Sequence, residues 1–485
     1  MECAETEVMT TSTACDDSLA VELPQDNAEY DEPVVDAAEL ERRQLASLAP
    51  RPSSLEATGL DQSFLSDLAA KHLFDGGILT LADIAERLAL SGPIIRKLLE
   101  FMRAEARIEV RGVASDGSAA NLRYALTDRG RAAALDAMSR SGYVGPAPVP
   151  LQDYIRVVNA QSVHERNVRS VDMDQAFENV VLRDEIRDQL GPALNSGRAI
   201  FVYGRAGTGK TFITQQLVKL FPGKTLLPYA IAIDEIVVEV YDPILHRKAD
   251  LDIASPNIML GEGHDPRFVC CDRPRVVVGG ELTADMLEVR YDAATRRYQA
   301  PLQLKANNGL FIIDDMGRQR VAPETVFNRW IVPMEEKIDY LTLRSGRHFS
   351  VPFNLILLFS TNLHPQDIAD EAFLRRIGYK IEFPTLNAEE YGQIWSDFCR
   401  DADIVCEDNV LDYTLKALHA VHDVPLLPCH PRDLLSMAAE RAVYNGNGRH
   451  INTEAMQMAW DNYFVLSNPD NFVRPSPSND GGPTS

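Results

Sequence analysis

The segment RAIFVYGRAGTGKTFITQQLVKLF, residues 198–221, holds three pieces of structure in a fixed order. Ala199 to Tyr203 is a β-branched and aromatic run that reads as a buried strand, and the stretch after Lys210 has the apolar spacing of a helix. Between them lies Gly204-Arg205-Ala206-Gly207-Thr208-Gly209-Lys210-Thr211. Glycines at these positions let the main chain wrap around an anion, so that amide N–H groups and the helix N-terminus face it. At the end of such a loop, Lys210 reaches the β- and γ-phosphates and the Thr211 hydroxyl is offered to magnesium. The eight residues are therefore the expected binding loop for ATP with Mg2+.

Two acid pairs compete for the metal end of this site. YAIAIDEI, Tyr229 to Ile236, and LFIIDDMG, Leu310 to Gly317, are both apolar runs ending in two carboxylates. PGK (222–224) turns the chain after the loop helix, so TLLPYAIAIDEI is expected as the next strand of the sheet. In the additional-strand class of P-loop ATPases, which these features resemble, the second strand is peripheral and the third carries the metal ligand. LFIIDD then has the expected place, entered from ANNG and followed by the helix PETVFNRWIVPMEE and the strand FNLILLFSTN. On this reading Asp314 holds magnesium, Asp315 polarises the attacking water, and Asp234 and Glu235 are structural or surface acids.

Strands and helices alternate over residues 173–385, which implies an α/β fold with a largely parallel sheet. Residues 386–466 are patterned as helices, an all-α lid. Upstream, SFLSDLAAKHLF, LTLADIAERLAL and SGPIIRKLLEFMRAEA have helical spacing, with Ser91 at an N-cap position. RIEVRG and LRYALT alternate on either side of the polar hinge DGSAAN, and DRGRAAALDAMSR closes the unit. Residues 58–142 thus resemble a winged helix-turn-helix domain. GYVGPAPVP begins a stiff linker, taken as 143–172.

The 485 residues carry a net charge of −23. Thirteen acids against two arginines in residues 1–50 supply −11 of it. Residues 1–57 are accordingly expected to be a disordered acidic tail, and 467–485 a second disordered tail. Over residues 61–140 eleven basic side chains balance eleven acidic ones. Arg96, Lys97 and Arg103 lie on the candidate recognition helix with Glu100 among them, a thin basic face that favours protein docking over DNA. The seven cysteines contain no CxxC pair and are read as reduced thiols. With neither a secretory h-region nor an apolar run near ~18–20 residues, no membrane insertion is expected and a cytoplasmic protein is.

The phosphate loop, LFIIDD, STN and a later arginine pair together resemble an AAA+ ATPase, an αβα sandwich with a helical lid. The resemblance implies a sensor role for Asn362 at the tip of FNLILLFSTN. DEAFLRRIGYKIEF resembles the paired arginine fingers of Clp-type disaggregases, which implies that Arg375 and Arg376 serve a neighbouring subunit. CHPRDLLSMAAERA resembles the sensor-2 helix, which places Arg432 near the phosphates of its own subunit, with His430 as packing. Residues 279–309 and 337–353 resemble the helix-2 insertion and pre-sensor hairpin of MoxR-like ATPases. The implied function is a homo-oligomeric ring, with a hexamer favoured, that remodels or assembles an unknown protein client. The alternative is a DNA-binding switch gripping DNA through the winged helix. MoxR relatives have glutamate where this chain has Asp315. A carboxylate ~1.5 Å shorter in reach leaves slow hydrolysis, a non-hydrolysing scaffold, or compensation by the backbone open.

Overall fold

The computed structural model describes residues 37–113, 122–249 and 263–464. It begins with α1 (Ala37–Leu48), α2 (Gln62–Gly76), β1 (Leu79–Thr80), α3 (Leu81–Leu88) and α4 (Gly92–Ala104). β2 (Ile108–Val113), β3 (Leu122–Leu126) and α5 (Asp128–Arg140) follow. The three strands form one antiparallel sheet in the order β1-β3-β2. Local chemistry sets the helix starts: Thr80 and Asp83 form a reciprocal capping box, and Thr127 Oγ1 accepts from the Gly130 amide. Ser91 occupies the N-cap of α4 without a side-chain capping bond. Leu65, Ile84, Leu88, Ile95 and Leu98 fill the core between these helices. The hinge DGSAAN lies outside the described residues.

The expected extent of the acidic tail needs correction. The α1 helix is formed, and Leu45 and Ala49 are buried against Val149, Leu226 and Phe268. The reason is compositional: all but two of the thirteen acids precede residue 37, while LASLA carries apolar residues at helical spacing. Residues 1–36 and 465–485 lie outside the described residues. The linker reading of 143–172 also fails. It contains β4 (Val149–Pro150), α6 (Leu151–Ala160) and the start of α7 (Ser170–Ala176), and Tyr154 and Val157 are fully buried. Proline enrichment ends at Pro150, and beyond it Tyr154, Val157 and Val158 line up on one helix face.

The α/β core contains α8 (Asp184–Asn195), β5 (Ile200–Tyr203) and α9 (Lys210–Gln216). Next come β6 (Lys224–Pro228), β7 (Ala230–Ile233), β8 (Ile236–Glu239), β9 (Phe268–Asp272) and β10 (Arg275–Val278). After β11 (Arg290–Asp292), β12 (Arg297–Gln299) and α10 (Leu302–Lys305) the chain enters β13 (Leu310–Ile313) and α11 (Pro323–Glu336). β14 (Ile338–Thr342), β15 (His348–Pro352), β16 (Ile356–Thr361), α12 (Glu371–Leu374) and β17 (Tyr379–Glu382) complete it. Five strands pair in parallel in the order β10-β13-β16-β5-β17. Their side chains alternate between two cores. Phe201, Phe311, Ile313 and Phe359 meet Trp330 on one face; Val202, Leu310, Ile312 and Leu358 pack on the other. A sheet buried on both faces, with the phosphate loop at the C-terminal end of a central strand, is the α/β P-loop fold.

TLLPYAIAIDEI is not the second strand of this sheet. β7 and β8 pair with each other as an antiparallel hairpin, with Asp234-Glu235 as the turn and Asp234 at φ 54°. An acid at positive φ in a two-residue connection is hairpin chemistry, so the two apolar runs 230–233 and 236–239 satisfy one another. They join β4, β11 and β12 in a separate five-stranded sheet, and β6 pairs with β9. β10 takes the peripheral place instead. Beyond the core, α13 (Ala388–Asp401), β18 (Val405–Cys406), α14 (Val410–Tyr413), α15 (Cys429–Tyr444), β19 (His450–Ile451) and α16 (Thr453–Tyr463) form a helical unit around Tyr391, Trp395, Leu434 and Trp460.

Candidate nucleotide-binding site

The loop between β5 and α9 is shaped by glycines that no other residue could replace without strain. Gly204, Gly207 and Gly209 have φ of 145°, 85° and 84°. A Cβ on Gly204 would stand 2.4 Å from the Phe383 carbonyl oxygen, and one on Gly207 2.7 Å from Cys429 Sγ. Lys210 is buried, and its ammonium donates to the Gly204 and Arg205 carbonyls at 2.9 and 2.8 Å and to Asn362 Oδ1 at 2.8 Å. Burial lowers its pKa, while Asp314 and Asp315 act in the opposite sense. Thr208 Oγ1 donates to the Arg205 carbonyl at 2.9 Å.

The two acids that follow β13 arrive from two strands away, with β16 lying between β13 and β5. Thr211 Oγ1 donates to Asp314 Oδ2 at 2.7 Å, and Asn362 Nδ2, at the end of β16, donates to Asp315 Oδ1 at 2.8 Å. Lys210, Asn362 and Asp315 are thus one hydrogen-bonded chain. Asp314 is held by its amide bond to the Val278 carbonyl, 2.7 Å, and Asp315 sits at φ 50°. Asp234 is elsewhere: it forms an ion pair with Arg347 in the turn joining β14 and β15. The hydroxyl and carboxylate of Thr211 and Asp314 are hard oxygen donors side by side, a donor set suited to Mg2+.

A cavity of about 620 Å³ lies between the core and the helical unit. Ala206 to Thr211, Asp315, Asn362 and Arg432 line it. Gly204, Arg205 and Asp314 do not; the Gly204 and Arg205 carbonyls accept from the Lys210 ammonium, and Asp314 accepts from Thr211. Arg432 comes from the first turn of α15, largely exposed, with Nε 3.1 Å from Asp433. Arg375 and Arg376 line no part of it. Arg375 pairs with Glu371 at 2.6 Å, and Arg376 with Glu335 at 2.6 Å and the Ala372 carbonyl at 2.9 Å.

Two groups of lining residues are missed by sequence reasoning. Val180, Leu182 and Ile186, with Ile394 and Phe398 from α13, make an apolar wall suited to a nucleobase. The available signal was the run VVL ahead of α8, just upstream of the phosphate loop. Arg183 fastens this segment to the helical unit through Glu390 at 2.5 and 2.8 Å and the Thr385 carbonyl at 2.7 Å. Arg318 is the other.

His430 is packing. It is buried among Tyr463, Phe464 and His419, and burial lowers its pKa to about 4, with His419 adding to the effect. The unfolded chain protonates this ring near pH 6.5 and the folded chain only near 4. Its contribution is therefore complete above about 6.5 and is lost as pH falls toward 4. Thermal melting at pH 7.5 and 5 should show the parent losing on the order of 1–3 kcal/mol more than His430→Phe. Equal pH dependence in both proteins would refute the assignment.

Residues 387–462 match a family model described as "Domain of unknown function (DUF8689)". No curated protein matches the chain. Among solved structures, the Thermotoga maritima RuvB Holliday junction branch migration motor is 12% identical, with a TM-score of 0.33. That alignment covers 59% of this chain and 70% of the other. A single-residue variant of the same protein, also 12% identical, gives 0.35 over 60% of this chain and 73% of that one.

Proposed function

We propose that this protein is an ATP-hydrolysing AAA+ motor that works as a homo-oligomeric ring, a hexamer by resemblance, and remodels or assembles a protein partner in the cytoplasm. The observation that carries the reading is the continuous Lys210–Asn362–Asp315 chain beside the Thr211–Asp314 pair. Amides of Ala206 to Thr211 would cradle the phosphates, and Lys210 would leave its loop carbonyls for the β- and γ-oxygens. Mg2+ held by Thr211 and Asp314 would neutralise charge on the phosphates. Asp315 would accept a proton from the attacking water, with Asn362 orienting both. The apolar wall around Val180 and Leu182 would hold the base, and Arg432 would grip the phosphates from the helical unit.

Arg375 and Arg376 sit outside their own cavity, so on this reading their work is in trans, against the nucleotide of a neighbour. Phosphate release per subunit should then rise with protein concentration as rings assemble. Arg376→Ala should lower it by at least about 10²-fold while ATP binding persists. Full turnover by a strictly monomeric protein would sink the trans assignment. The β14–β15 hairpin, which exposes Ile338 and Tyr340, is our candidate client contact, with the hairpin β11–β12 beside it. Among the described residues no helix is long and apolar enough to cross a membrane.

A second reading rests on the N-terminal module, which we take to be a winged helix-turn-helix unit. Arg96, Lys97 and Arg103 are exposed on α4, and none forms an ion pair among the described residues. Such a face could track a phosphate backbone. Duplex DNA binding whose affinity falls steeply with salt would favour this reading over a protein client.

A further inference from the structure

Four cationic side chains line the cavity: Arg183, Lys210, Arg318 and Arg432. Three have partners. Arg183 is bound to Glu390, Lys210 to its loop carbonyls and Asn362, and Arg432 to Asp433. The Arg318 guanidinium has no hydrogen-bond or ion-pair partner among the described residues. It is exposed and lines the same cavity as Asp315 and Asn362.

The turn that presents Arg318 is held from several sides. Asp315 and Gly317 have φ of 50° and 102°, and the Arg318 amide donates to the Asp315 carbonyl at 3.0 Å. The buried Met316 is anchored through its amide to the Ser360 carbonyl, 2.7 Å, and through its carbonyl to Thr361 Oγ1, 2.8 Å. The Gln319 amide clasps both ends, donating to the Asp314 carbonyl and accepting from the Gly317 amide, each at 2.8 Å. A left-handed aspartate costs about 1–3 kcal/mol and persists only where its surroundings over-determine it. That geometry fixes where the backbone of residue 318 stands relative to the Asp315 carboxylate.

We propose that Arg318 is a catalytic residue of its own subunit, whose guanidinium contacts the terminal phosphate of a bound nucleoside triphosphate. The inference rests on the ATPase reading above and deepens it. In the reaction, the oxygen of water bonds to the γ-phosphorus while the bridging P–O bond breaks. Its electron pair stays with the diphosphate, and the water proton passes to Asp315. Lys210 and Arg432 must give up partners to reach the phosphates, whereas Arg318 is the lining cation that has none to give up among the described residues. A planar guanidinium matches two such oxygens at once, and its contact exists only while a γ-phosphate is present.

The test compares the parent chain with Arg318→Ala and Arg318→Lys, measuring ATP and ADP affinity and phosphate release. In Arg318→Ala, ADP affinity should stay within about twofold while ATP turnover or ATP affinity falls about tenfold or more. Arg318→Lys should recover part of the loss. Unchanged ATP turnover together with unchanged ATP affinity in Arg318→Ala, or equal affinity losses for ADP and ATP, would overturn the proposal, the latter showing a role in the turn alone. Mixing Arg318→Ala with Asp315→Asn subunits separates cis from trans. No recovery is expected, since every site lacks one of its own residues; recovered turnover would mean that Arg318 serves a neighbour. A parent chain that binds neither nucleotide would remove the ATPase reading itself, an outcome distinct from all of these.

Discussion

Asp315→Asn is expected to keep nucleotide bound while phosphate release falls by about 10²–10⁴-fold. The amide has nearly the shape of the carboxylate but accepts no proton from water. Asparagine also tolerates the left-handed backbone that Asp315 adopts at φ 50°, so the turn should survive the change. The bonds of Lys210 to its loop carbonyls and the Thr211–Asp314 contact do not involve that carboxylate. Binding of a fluorescent ATP analogue and phosphate release, measured on one preparation, decide the matter. Turnover at the parent rate would mean that Asp315 is not the base. A parent chain that binds ATP but releases no phosphate would turn the protein into a nucleotide-gated scaffold, the outcome its short carboxylate leaves open.

Arg267→Ala should destabilise the protein by about 3–5 kcal/mol without touching the nucleotide cavity. Arg267 and Asp265 are both 3% exposed and pair at 2.8 Å. The same guanidinium donates to the carbonyls of Thr58, at 2.9 Å, and Pro148, at 3.3 Å, and the Asp265 amide donates to the Ala49 carbonyl at 2.8 Å. One ion pair therefore ties the segment after α1, the entry to β4 and the strand β9 together. Removing the cation leaves a buried carboxylate and two buried carbonyls without their donor, which costs more than the pair itself contributes. Urea unfolding gives the loss directly, and limited proteolysis between residues 49 and 62 should become faster. Adding Asp265→Asn to Arg267→Met should restore much of the stability, because the uncompensated charge is then gone. An unchanged urea midpoint for Arg267→Ala would refute the account.

The comparison of sequence and structure divides along the range of the interactions involved. The strand, glycine loop and helix around Gly204 to Gly209 were legible, because a tight loop with positive-φ glycines is set by consecutive residues. The place of β13 was legible as well: LFII is buried on both faces, as a central parallel strand requires. YAIAIDEI was misplaced, since an apolar run does not carry the identity of its partner, and Asp-Glu at a strand end serves equally as a metal site or a hairpin turn. The linker and tail boundaries failed for a related reason. Proline content and charge describe a segment's surroundings in water, whereas Tyr154 and Leu45 are held by residues more than 70 positions away in the chain.

The order of the phosphate loop, the two acids that follow LFII and the polar tip of FNLILLFSTN is written in local sequence, because each depends on bonds within a few residues of itself. The folded chain alone decided that Asn362 bridges Lys210 and Asp315 and that Asp234 faces Arg347 instead of the phosphate loop. Those placements are set by strand order in the sheet and by side chains arriving from separate elements, and no stretch of sequence contains both partners.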